Sequence, residues 1–452
     1  MANNITINSS GTASLKKPLM SDSSKDLLPK KPYAIVDVGS TKTSIAILNM
    51  NENSPAIYGY ANNPTKGISK GKVIDTNELT NTIFETLKKA LDSTEVKKEI
   101  PSIMSISGSH IKGVTEEKSL TLNNAHGVIT FEDINNGNTN KYGYKNNPHS
   151  SRRILNEYHI NYILDGEHTV INPIGMHSQD IKIKKHVVSG DIVEIEKLET
   201  AAKNAYLSVE SFIHSGTASS SSTLSADNKQ EDSIIIDIGG GTTDISVYES
   251  NSLIYSSVLP IGGFNFSNDI AIAFGIDFEQ AENIKIRHGL ADIYKSSVLE
   301  SIIINLPGNK AIEVQVLDIC QIMKERAQEW ASLILMEIES SGISNLKTCV
   351  LTGGSSQIEG IDTILTKTLQ LKSTVCIPHH KEYLNSEYLV PENSTLVGLI
   401  NYAFESKTKM LDIKSNRFDK LTQVSKLPIV NKASTKIKKL IKKPYLKSVR
   451  GK

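Results

Sequence analysis

Apolar residues along this chain fall into blocks of two different periods. From Tyr33 the run Tyr33-Ala34-Ile35-Val36 ends in Asp37-Val38-Gly39, and a second run returns over Thr43 to Leu48. Continuous runs of this length, bounded by polar residues, predict two β-strands joined by a tight turn. Between Glu78 and Leu91 the period lengthens: Leu79, Ile83, Leu87 and Leu91 recur every fourth position, which predicts one face of an amphipathic helix. The strand-turn-strand pattern then comes back at Ser233 to Tyr248. There Ile234-Ile235-Ile236-Asp237-Ile238 runs into Gly239-Gly240-Gly241-Thr242-Thr243-Asp244. Recurrence at domain spacing, about 200 residues on, predicts two similar lobes.

The first lobe is interrupted between Ile103 and Val188. Strand-like runs at Ile103–Ile106, Ser119–Leu122, Glu157–Ile163 and Ile181–Val188 surround Asn135-Asn136-Gly137-Asn138-Thr139-Asn140 and Asn146-Asn147-Pro148. Asn, Gly and Pro are poor helix formers, so a small α+β insertion with a loose loop is expected. A helix over Asp191–Ser208 and a Ser/Thr-rich stretch, 215–225, lead to the repeat. Helical patterns follow at Asn265–Phe274, Phe278–His288 and Leu317–Ser340. Thr348 to Thr352 reads as a buried strand ending in Gly353-Gly354-Ser355, with a helix from near Glu359 and a closing helix over Thr395–Phe404. The expected organisation is an α/β chain of two lobes. A leader (1–31) precedes lobe 1 (32–105 and 189–231), which carries the insertion (106–188). Lobe 2 has a base (232–264 and 345–405) and a further subdomain (265–344). A linker (406–433) and a tail (434–452) close the chain.

Composition adds little until the end of the chain. The 452 residues are 38% apolar and 22% charged, with a net charge of +1, which suits a soluble globular protein and gives no global argument for nucleic acid. Cys320, Cys349 and Cys376 are odd in number and far apart, so they read as small buried hydrophobes in a reducing compartment, with no disulfide framework or metal site. No stretch approaches the roughly 20 apolar residues that span a bilayer. Met1 to Lys31 is rich in Asn, Ser, Thr and Lys and lacks an apolar core, so it reads as a disordered leader and not a signal peptide. After Asp419, however, there is no acidic residue, while Lys and Arg recur eleven times.

The two turns have a common chemical sense. Phosphates need backbone N–H donors at close range, and only glycine lets the chain approach without a Cβ clash. Gly39, Ser40 and Thr41 in the first turn, and Gly239, Gly240, Gly241, Thr242 and Thr243 in the second, would clamp a nucleoside triphosphate from both sides. Asp37 and Asp237, at the two strand ends, would hold Mg2+ through its water shell. Gly353-Gly354-Ser355 is a third glycine opening, suited to a flat nucleoside. Lys42 is either a phosphate contact or a solvated turn lysine. Glu282, Lys285 and His288 share one helical face, and by themselves they fit a solvated face better than a nucleoside contact. The chain has no Walker-type Gly-x-x-x-x-Gly-Lys-Ser/Thr, which excludes a P-loop.

The order Asp-Val-Gly-Ser-Thr-Lys, Asp-Ile-Gly-Gly-Gly-Thr-Thr-Asp and Leu-Thr-Gly-Gly-Ser resembles the actin and heat-shock chaperone ATPase superfamily, whose lobes are two ribonuclease H-like halves. Ser107-Gly108-Ser109-His110-Ile111, Asn172-Pro173-Ile174-Gly175-Met176, Ile270 to Gly275 and Ala281 to Gly289 narrow the resemblance to the bacterial cell-division FtsA family, over roughly Lys31 to Ser406. The resemblance implies an actin-like ATP-binding protein that polymerises on the cytoplasmic face of the inner membrane at the division septum. It further implies recruitment of FtsZ through the second lobe and of later division proteins through the insertion. Glu282 and Lys285 would then contact the nucleoside, with Gly353, Gly354 and Ser355 lining its site. Two departures stand out. The helix that follows the position of Ile134 in the family is expected to be shortened or lost. The segment Ser215 to Ser222 has no Gln or Glu to orient an attacking water, so slow turnover or none is expected, and Asp244 is the first acid to test. A sugar or metabolite kinase and a pilus-assembly adaptor are the alternative readings of the same fold.

In the tail, Ile437, Leu440 and Ile441 share a face ringed by Lys436, Lys438, Lys439, Lys442 and Lys443, the pattern of an interfacial amphipathic helix for anionic lipid, with Pro444 as its stop. Each lysine near an anionic leaflet contributes about 1 kcal/mol, and each buried aliphatic at most about 1.5–3 kcal/mol. One tail is therefore a weak anchor, and copies side by side in a filament would multiply it.

Overall fold

The computed structural model describes residues 32–50, 56–93, 96–120, 127–138, 151–292, 300–306, 310–379 and 384–405. The expected leader, linker and tail lie outside the described residues. Strand β1 (Pro32–Val38) turns back into β2 (Lys42–Asn49), followed by β3 (Ile57–Pro64), a small hairpin of β4 (Ile68–Ser69) and β5 (Lys72–Val73), and helix α1 (Thr76–Ala90). Asp75 caps α1, accepting from the backbone of Asn77 and Glu78, and Leu79, Ile83 and Leu87 bury the predicted stripe against the sheet. Strand β6 (Ile100–Ile106) then enters the insertion: β7 (Ile111–Leu120), α2 (Phe131–Asn138), β8 (Arg152–Leu164), β9 (His168–Val170) and β10 (Ile181–Asp191). Helix α3 (Ile192–Asn204), β11 (Leu207–His214), α4 (Ser215–Thr223) and α5 (Ala226–Gln230) complete the first lobe.

The second lobe repeats the plan. It comprises β12 (Ser233–Ile238), β13 (Thr243–Glu249), β14 (Ser252–Leu259), α6 (Gly263–Phe274), α7 (Phe278–His288), β15 (Ser301–Leu306), β16 (Lys310–Gln315), α8 (Val316–Ser340), β17 (Thr348–Thr352), α9 (Ile361–Leu369) and β18 (Ser373–Val375). Helix α10 closes it over residues 394–405. The lobe-1 sheet runs β11-β6-β1-β2-β3 and the lobe-2 sheet runs β14-β13-β12-β17-β18. In each, the central strand pairs antiparallel with the one after the glycine turn and parallel with the one on its other side. The turns also match bond for bond: Gly39 N–H donates to Lys42 O, and Gly239 N–H to Thr242 O. Central strands buried on both faces read as unbroken apolar runs, which is why these two were visible in sequence.

Several expectations shift. The Ser/Thr-rich stretch is α4, a helix with every residue but Ser221 buried. The helix predicted to Ser208 stops at Asn204, because the chain must return as β11. Part of the Asn-rich stretch is the end of α2, short but present. Thr130 and Asp133 form a reciprocal cap, with Thr130 N–H and Oγ1 donating to Asp133 and Asp133 N–H donating back to Thr130 Oγ1, and this outweighs weak propensity. Residues 139–150 lie outside the described residues. The insertion's sheet, β7-β10-β8-β9, begins at Ile111, before the predicted Ser119, and ends at Asp191. Cys320 and Cys349 are buried thiols and Cys376 is half-buried. No described helix is long and apolar enough to cross a membrane.

Candidate nucleotide site

A cavity of about 640 Å³ opens between the two turns. Its lining brings together Asp37, Gly39, Ser40, Thr41, Asp237, Gly239, Gly240, Thr242 and Asp244 with Glu282, Lys285, Gly353, Gly354 and Ser355, and Ser355 Oγ donates to Gly239 O at 3.0 Å. Asp37 is fixed by Ser105 of β6, whose hydroxyl donates to Oδ1 at 2.8 Å. Asp237 is held by Thr395 at the head of α10, donating to Oδ2 at 3.1 Å. Lys42 also lines the cavity. Its Nζ donates to Glu392 (3.2 Å) and Asn393 (2.9 Å), residues of the other lobe.

Lys285 is buried, and its Nζ donates to both oxygens of Glu282 and to Gly263 O. The pair therefore forms one wall, which answers the solvated-face reading for these two; His288 is not on the cavity. Two predicted phosphate residues lie elsewhere. Thr243 points into the core, donating to Ile261 O and accepting from Trp330 Nε1. Strand alternation puts Thr242 and Asp244 on the cavity face and Thr243 behind it. Gly241 is needed for close approach of the turns, since a Cβ there would meet Ser40 Oγ at 2.5 Å. Sequence reasoning missed Ser107, Ser215, Phe264, Gln357 and Glu392, which line the cavity from separate elements.

Burial lifts the Asp37 carboxyl to about 6, partly offset by the Ser105 hydrogen bond and the Lys42 charge. Burial, joined by the charge of Asp244, lifts Asp237 to about 7. Crowded, raised carboxylates around one cavity are the electrostatics of a site completed by a cation. A raised folded value contributes stability that is fully present below the ordinary 3.8 and lost as pH rises through about 7. His110 and His186, pushed down to about 4 chiefly by burial, act in the opposite sense: their contribution is present above 6.5 and lost as pH falls. The wild-type curve is thus flattened, and a variant separates the parts. Without nucleotide, Asp237→Asn should gain on wild type by up to about 1.4 kcal/mol per pH unit as pH rises from about 4 to 7. Urea unfolding across that range measures it, and a difference independent of pH would refute the raised carboxyl.

With this geometry in view, comparison with known proteins decides the family. Residues 234–398 match the family model of cell division protein FtsA, and residues 108–189 match that of the SHS2 domain inserted in FTSA. The chain belongs to the FtsA family. It is 24% identical over 406 residues to cell division protein FtsA of Pseudomonas aeruginosa, covering 88% of this chain and 95% of that one. The FtsA of Borreliella burgdorferi is 28% identical, with 89% and 96% covered, and that of Escherichia coli K12 is 27% identical, with 82% and 90% covered. Among solved structures, a PilM–PilN type IV pilus biogenesis complex matches with TM-score 0.59 at 16% identity, covering 83% of this chain and 99% of that one. MreB5 of Spiroplasma citri bound to AMPPNP matches with TM-score 0.50 at 13% identity, covering 86% and 100%. These likenesses establish the actin-like fold of this FtsA-family chain.

Proposed function

We propose that this FtsA-family protein binds ATP between its lobes and, in that state, assembles into filaments that tether the FtsZ ring to the inner membrane. The observation that carries the reading is the pair of matched glycine turns, each ending a strand in a buried aspartate, facing one cavity. Asp37 and Asp237 would hold Mg2+ through water, where it would neutralise the phosphates. Glu282, Lys285, Gly353, Gly354 and Ser355 would take the nucleoside, and MreB5, of the same fold, is a nucleotide-bound relative. The basic tail, 434–452, would lie on anionic lipid at the septum, and the insertion, 106–188, would receive later division proteins.

Co-sedimentation with anionic liposomes in ATP, with and without FtsZ, tests this for the whole chain and for one ending at Leu427. Lipid and FtsZ should pellet with the full chain, and truncation should lose lipid alone. A full chain that binds neither refutes the tethering role. The cleft makes a further prediction. Glu392 engages the Lys42 ammonium and places a negative charge on the cavity wall. Glu392→Gln should tighten ATP binding a few-fold, about 1 kcal/mol for a half-exposed pair. Titration with a fluorescent ATP analogue checks the direction, and weaker binding would show that Glu392 helps the site.

A further inference from the structure

The insertion meets the second lobe as well as the first, at a place away from the nucleotide cavity. It grows from lobe 1: β6 ends at Ile106 and β7 begins at Ile111, while β10 runs into Asp191, which caps α3. Leads that short make the insertion move with lobe 1. Its edge strand β7 nevertheless lies along β14, the edge strand of the lobe-2 sheet. The two edges belong to separate sheets and meet through side chains. At the centre of this seam is His186 of β10, 1% exposed. Thr115 Oγ1 donates to Ile254 O at 2.7 Å, so it turns a lone pair to His186 Nδ1, 2.9 Å away. Nδ1 therefore carries the ring proton, and Nε2 accepts from Ser256 Oγ at 2.9 Å. Burial and the nearby His214 push the ring down to about 4, so it stays neutral and keeps one donor and one acceptor. Hydrogen bonds thus run in one direction, from Ser256 of lobe 2 through His186 and Thr115 and back to Ile254 of lobe 2. Ile254 is the extra residue where the β13–β14 register shifts, and such a bulge frees its carbonyl for the insertion. Gly113 of β7 permits the approach, since a Cβ there would lie 2.2 Å from Ser256 Oγ and 2.5 Å from His186 Nε2.

A buried histidine is often only core filling, and apolar atoms alone would pack this junction, as Val258 of β14 does among lobe-1 residues. Here donors and acceptors are matched across the seam, which fixes one placement of the insertion on lobe 2. One strand joins the seam to the cavity. Ser256 stands opposite Ser246 of β13, and Val258 opposite Asp244, which lines the cavity. In this same placement the cleft is closed, with Ser107 donating to Asp244 and Lys42 to Glu392 across it.

We propose that this seam is a latch, by which the insertion, moving with lobe 1, grips the β14 edge of lobe 2 and holds the lobes in the arrangement that binds nucleotide. This rests on the nucleotide-binding reading above. None of Gly113, Thr115, His186 and Ser256 lines the cavity, so their effect on nucleotide passes through the placement of the lobes. Opening the seam exchanges its few matched bonds for bonds to water, a modest net cost, so the latch is releasable. The coupling is reciprocal: the seam tightens nucleotide binding by the same factor by which nucleotide tightens the seam.

Affinity of the full chain for a non-hydrolysable fluorescent ATP analogue tests the latch, with a melting curve for each variant. Gly113→Ala wedges the seam without removing a polar group, and Ser256→Ala removes the donor to His186. Each should weaken binding at least about fivefold. Ile129→Ala, in the insertion's own core cluster, is the control: it should lower the melting temperature and leave affinity within about twofold. Hydrogen exchange reads the coupling from the other side. The analogue should slow exchange across β7 and β14 in wild type and change it little in Gly113→Ala. Should Gly113→Ala fail to fold, Ser256→Ala carries both measurements. Seam variants that bind like wild type, or lose no more affinity than Ile129→Ala, overturn the latch and leave nucleotide binding standing. Wild type that binds the analogue with no change in exchange across the seam does the same. Wild type that does not bind the analogue overturns both.

Discussion

Gly353→Ala is expected to lose nucleotide binding by at least about 100-fold, equivalent to about 2.7 kcal/mol. Gly353 follows β17 with φ 86° and ψ 163°, a conformation essentially confined to glycine and costing other residues about 1–3 kcal/mol. A Cβ would lie 2.3 Å from Asp237 Oδ1 and 2.6 Å from Ile238 O. The backbone cannot move to relieve this, because Gly353 N–H donates to Pro391 O and Gly353 O accepts from Ser356 N–H. The carboxylate must therefore turn away, breaking its bond from Thr395 and vacating its place in the clamp. Gly354→Ala is the matched control, since the nearest atom to its Cβ is Glu392 Cβ at an ordinary 3.7 Å. Titration with a fluorescent ATP analogue, with a melting curve for each variant, separates site from fold. If Gly353→Ala binds as well as Gly354→Ala, the loop does not position Asp237.

The parts of this site that were legible in sequence are those whose chemistry is local. A turn that brings backbone to a phosphate needs glycine at fixed places, so Gly39 and Gly239 to Gly241 announce themselves, and so does the aspartate at each strand end. What joins the halves was not legible, because it depends on which elements the fold packs together. Thr395 and Ser105 look like ordinary hydroxyl residues until the sheets place them beside Asp237 and Asp37. Thr243 was misplaced for want of the alternation rule, since its neighbours on either side face the cavity. Helix α4 was hidden for a deeper reason. Ser215 to Thr223 has no apolar stripe, and Ser and Thr compete for the backbone and disfavour helix interiors. In the fold their hydroxyls turn inward to the helix's own carbonyls, as Ser219 does to Gly216 O and Thr223 to Ser219 O, while their small size lets other backbones come close.

That closeness makes Gly398→Ala the change with the largest expected cost to stability. Gly398 lies on α10, where a Cβ would be 1.7 Å from Ala218 O and 2.3 Å from Ala218 C of α4. No rotamer can relieve a clash with a carbonyl, so the helices must separate by well over an ångström. Three bonds between them oppose that: Ser222 Oγ donates to Ser394 O at 2.7 Å, Ser221 Oγ to Gly398 O at 3.2 Å, and Asn401 Nδ2 to Ser221 O at 3.3 Å. Overpacking in a tight core costs about 1–3 kcal/mol and more where backbone is the obstacle, so a loss of at least about 3 kcal/mol is expected in urea unfolding. Adding Ala218→Gly should not rescue it, because the obstructing atom is the carbonyl, whereas rescue would mean that side-chain packing had set the cost. Nucleotide affinity should fall with stability, because Ser215 at the head of α4 lines the cavity and Thr395 at the head of α10 holds Asp237. Forcing these two helices apart pulls the two walls of the phosphate clamp out of register.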